Sequence, residues 1–133
     1  MKKIDTNFDM NKINRITGIV LDSCIEVHRE LGPGFLEAVY EECLALEFDM
    51  RGVNYIRQCD LPIVYKNRLS DKKYRVDFLV EGEVPVELKA VEALIPIHTA
   101  VAINYAKMAG KKVVLLINFN VTRLVEGYRR FII

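Results

Sequence analysis

The stretch YRVDFLVEGEVPVELKAVEA, residues 74–93, decides the fold. Two short apolar runs flank an acidic turn containing Gly82, the pattern of an antiparallel hairpin with a loop of about three residues. Side chains alternate along a strand, so Tyr74, Val76, Phe78 and Val80 are expected on one side and Arg75, Asp77 and Leu79 on the other. On the second strand Val84, Val86 and Leu88 share one side, Glu87 and Lys89 the other. A turn centred on Gly82 sets Asp77 opposite Glu87 and Arg75 opposite Lys89. Facing carboxylates weaken strand pairing unless a cation lies between them.

A divalent metal is the simplest such cation. Mg2+ prefers carboxylate and carbonyl oxygens and keeps several waters, so two acids on neighbouring strands can hold it beside a phosphodiester. Lys89 then points at the same place, to stabilise phosphate charge or orient a water. The plainer reading is a solvated charged face, in which Arg75, Asp77, Glu87 and Lys89 form two cross-strand ion pairs in slightly shifted register. Spacing alone leaves both open.

Asp77 followed by Glu87-Leu88-Lys89 resembles the core of the PD-(D/E)XK nuclease superfamily. Gly34-Phe35-Leu36-Glu37-Ala38-Val39-Tyr40 resembles the signature of the bacterial GxxExxY proteins, a small family assigned to that superfamily. The blocks HRELGPGFLEAVYEECLALEF, YRVDFLV, VELKAVEAL, NYAK and LLINFN match it in order, from about Thr17 to Phe131. The resemblance implies an α/β, restriction-endonuclease-like fold, a mixed central sheet of four or five strands flanked by helices. It also implies a Mg2+- or Mn2+-dependent nuclease acting on DNA or RNA. Asp77 and Glu87 would be metal-binding acids, the Leu88 carbonyl a further ligand and Lys89 the catalytic lysine. Glu37 would be a third ligand or water-positioning acid, with Tyr40 beside it. Two positions depart from the pattern: Val101 stands where a Gln is usual, and Thr99 where an acid is usual. The alternative is a weak or inactive nuclease-fold module that binds nucleic acid or a protein.

Composition bounds these readings. A chain of 133 residues, 51% apolar and 28% charged, fits one ordered domain. That domain is expected over residues 11–133, behind a flexible arm over residues 1–10. Net charge is +1, so nucleic-acid binding must use a local patch. The dense basic stretch Lys66 to Lys73 reads as a polar turn. It is either a solvated loop or a phosphate contact formed by Arg68, Lys72, Lys73 and neighbouring Arg75. His98 at a helix start, and Tyr105 one side of the same helix, are further candidates for contact with nucleic acid. Tyr55 and Tyr65 could stack on bases or pack against the domain. Cys24, Cys43 and Cys59 show no CxxC or Cys/His cluster and read as buried small hydrophobes in a reducing compartment. Neither a signal peptide nor a membrane span is expected, and the location expected is cytoplasmic.

The remaining elements follow from periodicity. Ile13, Ile16, Val20, Cys24, Val27 and Leu31 form an apolar stripe that stops at Gly32-Pro33-Gly34. His28 reads as a surface or capping residue of that helix. A second helix is expected from Phe35 to Met50, with Glu37 in its first turn, where the helix dipole favours an ionised acid. Tyr55 to Tyr65 reads as a strand at or near an edge, because Pro62 cannot donate a ladder hydrogen bond. Pro96 opens a third helix. Lys112 to Asn118 reads as a buried strand, parallel or mixed with the hairpin, and Gly127 to Phe131 as an edge strand. The tail Ile132-Ile133 is a candidate homodimer contact.

Overall fold

The computed structural model describes residues 9–133. The arm expected over residues 1–10 therefore lies mostly outside the described residues. Asp9 and Met10 belong to the first helix: the Asp9 carboxylate accepts from Lys12 N at 3.2 Å and caps α1, Met10–Leu31. Helix α2 spans Glu37–Arg51. Strands β1 (Tyr55–Tyr65), β2 (Arg68–Val80) and β3 (Val84–Lys89) follow, then α3 (Pro96–Met108), β4 (Val113–Asn118), the short α4 (Leu124–Gly127) and β5 (Tyr128–Ile132).

The strands form one mixed sheet in the order β1-β2-β3-β4-β5. Only β3 and β4 run parallel; the other neighbours are antiparallel. The arrangement is α/β and restriction-endonuclease-like, with β1 and β5 at the edges as expected. The turn expected over Lys66–Lys73 is a correction. Only Lys66 and Asn67 turn, both at positive φ (50° and 62°), and Arg68 onward is already strand. Two positive-φ residues in a row suit the right-handed twist of a tight hairpin, so the basic residues lie along β2 instead of in a loop.

One face of the sheet packs on α1 and α2. The stripe of α1 meets Tyr40, Leu44 and Phe48 of α2 and Phe78, Val80, Val86, Leu88, Leu115 and Ile117 of the sheet. The other face carries the smaller cluster Ala102, Ala106, Val114 and Leu116 beneath α3. His28 is a second correction. It is buried, and its Nε2 bonds the Val121 carbonyl at 2.8 Å, tying α1 to the loop after β4. Of the cysteines, Cys24 is buried as expected, whereas Cys43 and Cys59 are only partly buried; all three are free.

Two contacts fix the chain around the centre of the molecule. A Cβ at Gly127 would stand 2.0 Å from the Asn118 carbonyl oxygen, so only glycine lets α4 approach the end of β4. The buried Asn118 side chain accepts from Val91 N at 3.0 Å and donates to Val91 O at 2.9 Å. It thereby holds the segment that leaves β3 toward α3.

Candidate active site

The site grows from the place where the sheet opens. Pairing between β2 and β3 runs from Val80↔Val84 to Phe78↔Val86 and ends there. Asp77, the next residue, has the register expected from the Gly82 turn but no backbone rung to β3. Its carboxylate fills the gap instead, Oδ2 accepting from Leu88 N at 2.7 Å. That bond satisfies a buried backbone donor that would otherwise be orphaned. On the other flank Oδ1 accepts from Gln58 Nε2 at 3.2 Å.

Glu87 is 8% exposed. Its Oε2 accepts a short hydrogen bond from the Tyr74 hydroxyl, and the Tyr74 ring stacks on Tyr105 with centroids 4.0 Å apart. Strict alternation had put Tyr74 with the core side chains Phe78 and Val80. Past Asp77, however, β2 pairs only with β1, and two-stranded ribbons coil more strongly than wide sheets. There Tyr74 meets Tyr105 of α3. Glu87, Lys89, Tyr74, Ile97, His98, Val101, Ala102 and Leu116 together line a cavity of about 140 Å³.

Glu37 begins α2, and the GFLEAVY segment explains how it is held. Gly34 takes φ 106°, and the buried Tyr40 hydroxyl donates to the Gly32 carbonyl and accepts from Phe35 N. With Tyr40 stacked on Phe119 at 4.6 Å, the turn before Glu37 is fixed. Tyr40 is thus a clamp for the acid rather than a neighbour in the site.

The electrostatics tie these groups together. Burial pushes the Glu87 carboxyl up to about 7, with Asp77 adding to the rise while the Tyr74 bond and Lys89 oppose it. Burial also raises Asp77, against the Leu88 N–H bond and with the help of Glu41. Glu37 is raised by burial and then by Asp77, with Lys89 opposing. The helix N-terminus favours an ionised acid at Glu37, but desolvation and the neighbouring Asp77 carboxylate act against it and raise its pKa. Asp77 makes Glu37 and Glu87 harder to ionise, Glu41 does the same to Asp77, and Lys89 lies within range of Glu37 and Glu87.

Among the described residues no three histidine, cysteine or acidic side chains stand together as a ready metal cage. The donor set still suits a hard ion. Two carboxylates at the β2–β3 opening, backbone oxygen and water are the ligands Mg2+ takes, since it binds through one or two carboxylates and retains its waters. Each Asp77 oxygen has one protein donor and keeps a further lone pair.

The proposed nucleic-acid contacts fare unevenly. Arg68, Lys72 and Lys73 are exposed on β2. Arg75 is held by Asp60 at 2.9 Å on the neighbouring strand. Its expected partner opposite, Lys89, is beyond the end of the β2–β3 pairing. Tyr105 is committed to Tyr74, and His98 Nδ1 accepts from Ile95 N at 3.2 Å, locking the start of α3. Tyr55 packs between Phe48 and Phe78 and donates to Asp49, while Tyr65 is exposed under the Lys66 ammonium. Sequence reasoning missed Tyr74, Gln58 and Asn118. Only Tyr74 had a signal, its place three residues before Asp77 in the same strand.

A restriction-endonuclease-like α/β sheet with acids at an opened hairpin and a lysine two residues beyond the second acid defines a nuclease-type class. A family model for the PD-(D/E)XK nuclease superfamily matches residues 14–131, and the chain belongs to that superfamily. No curated protein and no solved structure matches the chain. No helix among the described residues is long and apolar enough to cross a membrane.

Proposed function

We propose that the protein is a divalent-metal-dependent nuclease that hydrolyses phosphodiester bonds in DNA or RNA. The observation carrying this reading is the convergence of Asp77 and Glu87 at the β2–β3 opening, where Asp77 makes both Glu87 and Glu37 harder to ionise and Lys89 lies within range of both, a cluster of hard oxygen donors short of positive charge. Asp77, Glu87 and the Leu88 carbonyl would hold Mg2+ or Mn2+, with Glu37 at its margin. When bound, such an ion would lower the pKa of a coordinated water and offset charge on the phosphate. Asp77 is kept in place by Leu88 N–H, and Glu87 by the Tyr74 hydroxyl. Lys89 supplies a cation to the phosphate oxygens as charge builds on them. With Nδ1 of His98 accepting from Ile95 N, its neutral ring carries the proton on Nε2, a donor available to a phosphate. Arg68, Lys72 and Lys73 extend the contact along the backbone of the nucleic acid.

A second reading has its own support. Val101 lines the cavity with an apolar side chain where a substrate-contacting amide is usual. Arg75 is neutralised, and net charge is +1. A fold that binds nucleic acid or a protein partner with little turnover is consistent with those features. The deciding experiment is cleavage of single- and double-stranded DNA and RNA with Mg2+ or Mn2+. Asp77→Asn and Lys89→Ala are expected to lose about 10²- to 10⁴-fold in rate. Full activity in either variant overturns the assignment, and metal-independent binding without cleavage favours the second reading.

A further inference from the structure

Besides a register shift between Pro62 and Val64, strand β1 departs from regularity beside the site, at Gln58. Gln58 has φ 53°, a left-handed conformation that a side chain of its size rarely adopts. Pairing on either side keeps one register, Arg57↔Phe78 and Cys59↔Val76, so no residue has been inserted; the missing rung between them is Gln58 against Asp77. In a regular strand, consecutive side chains leave on opposite faces. Here Arg57 and Gln58 grip the same carboxylate. Arg57 Nε donates to Glu41 Oε2 at 2.7 Å, and Gln58 Nε2 donates to Glu41 Oε1 at 2.8 Å. The left-handed turn is what brings both onto α2. The Gln58 amide then reaches Asp77 Oδ1 at 3.2 Å. Both partners are carboxylates, which accept only, so the amide nitrogen must face them.

We propose that Gln58 is a positioning residue: it bridges α2 and β2 and holds the Asp77 carboxylate at the opening of the sheet. Glycine would occupy φ 53° without strain, so the fold alone gives no reason for a glutamine there. The side chain does what glycine cannot. It places a neutral double donor on Glu41 and Asp77, where Glu41 otherwise only raises Asp77, and pins the Asp77 oxygen that Leu88 N–H does not hold. Backbone rungs flank Asp77 on neither side, so the donors that hold its carboxylate are Leu88 N–H and the Gln58 amide. The consequence for metal binding rests on the nuclease reading above; the positioning itself does not.

The test compares the full chain with its Gln58→Gly and Gln58→Asn variants, using Mn2+ as the probe. Gln58→Gly should keep its denaturation midpoint, because relief of the left-handed backbone offsets the two lost hydrogen bonds. Its Mn2+ affinity, measured by calorimetry, should fall about tenfold or more, with cleavage falling alongside. Gln58→Asn tolerates the backbone but is one methylene short, and should behave the same way. Unchanged Mn2+ affinity in both variants overturns the proposal. If the parent protein binds no Mn2+, the nuclease reading fails, and positioning is then read from the Asp77 carboxyl carbon resonance. A displaced or exchange-broadened resonance in Gln58→Gly supports it, and an unaltered one overturns it.

Discussion

The face of the sheet beneath α1 and α2 and the face beneath α3 are built differently. The first holds a continuous cluster that includes the rings of Tyr40, Phe48, Phe78 and Phe119. The second holds Ala102, Ala106, Val114 and Leu116, with Leu94, Ile103 and Phe131 at its margin. Small side chains under α3 leave the cavity into which Glu87, Lys89 and His98 project. Buried carboxylates destabilise a fold unless they are paired. The aromatic face supplies the stability that lets the thinner face carry them. One face specifies the structure, and the other has room for chemistry.

The largest effect is expected from cutting the aromatic face. Phe48 is fully buried and meets Phe78 edge-on at 5.4 Å. Phe48→Ala should lower unfolding free energy by about 3 to 5 kcal/mol while leaving Mn2+ affinity little changed in the protein that remains folded. An equal loss of metal binding, followed by calorimetry below the transition, would break the division between the faces.

A smaller effect separates the faces by pH. The Glu87 carboxyl sits at about 7 in the fold against an ordinary 4.5. Between those values the folded protein holds a proton that the unfolded chain has lost, so stability falls as pH rises through the window. The metal-free protein should lose on the order of 2 to 3 kcal/mol between about pH 4.5 and pH 7 from this group. Asp77 and Glu37, both raised, add in the same direction. Denaturant titrations at several pH values should show the slope, and Glu87→Gln should flatten it. A slope of opposite sign would mean that the carboxylate is paired in the free protein.

The smallest stability change concerns position 101. Val101 is partly buried against Glu87, Lys89 and His98, so a longer amide there has polar partners. Val101→Gln should shift stability by less than about 1 kcal/mol, spare Mn2+ affinity and raise any weak cleavage severalfold. A destabilisation of about 1 to 3 kcal/mol without faster cleavage would show an amide stranded without a partner.

Much of the fold was legible because its signals are local. The α1 stripe, the Gly32-Pro33-Gly34 stop, the Gly82 turn and the apolar run of β4 each specify an element through periodicity or a backbone constraint. The register that aligns Asp77 with Glu87 was legible too, since the Gly82 turn sets it. The errors fall where a residue answers to a distant partner. His28 was read as a surface or capping residue and is held by Val121, ninety-three positions away. The Lys66–Lys73 turn shrank to two residues because β1 continues to template β2. Tyr74 left its expected face for Tyr105 of α3 and Glu87, in the part of β2 that no longer pairs with β3.

By itself, then, the sequence determined where the helices stop, where the hairpin turns, and the register that aligns Asp77 with Glu87. These are consequences of backbone geometry within a few residues. The tertiary structure alone decided how those groups are held: Asp77 between Gln58 and Leu88 N–H, Glu87 beneath Tyr74 and Tyr105, and Val91 on Asn118. Burial and hydrogen-bond satisfaction are properties of everything that packs around a group. No local pattern encodes them, because the partners lie on strands and helices brought together only when the sheet has formed.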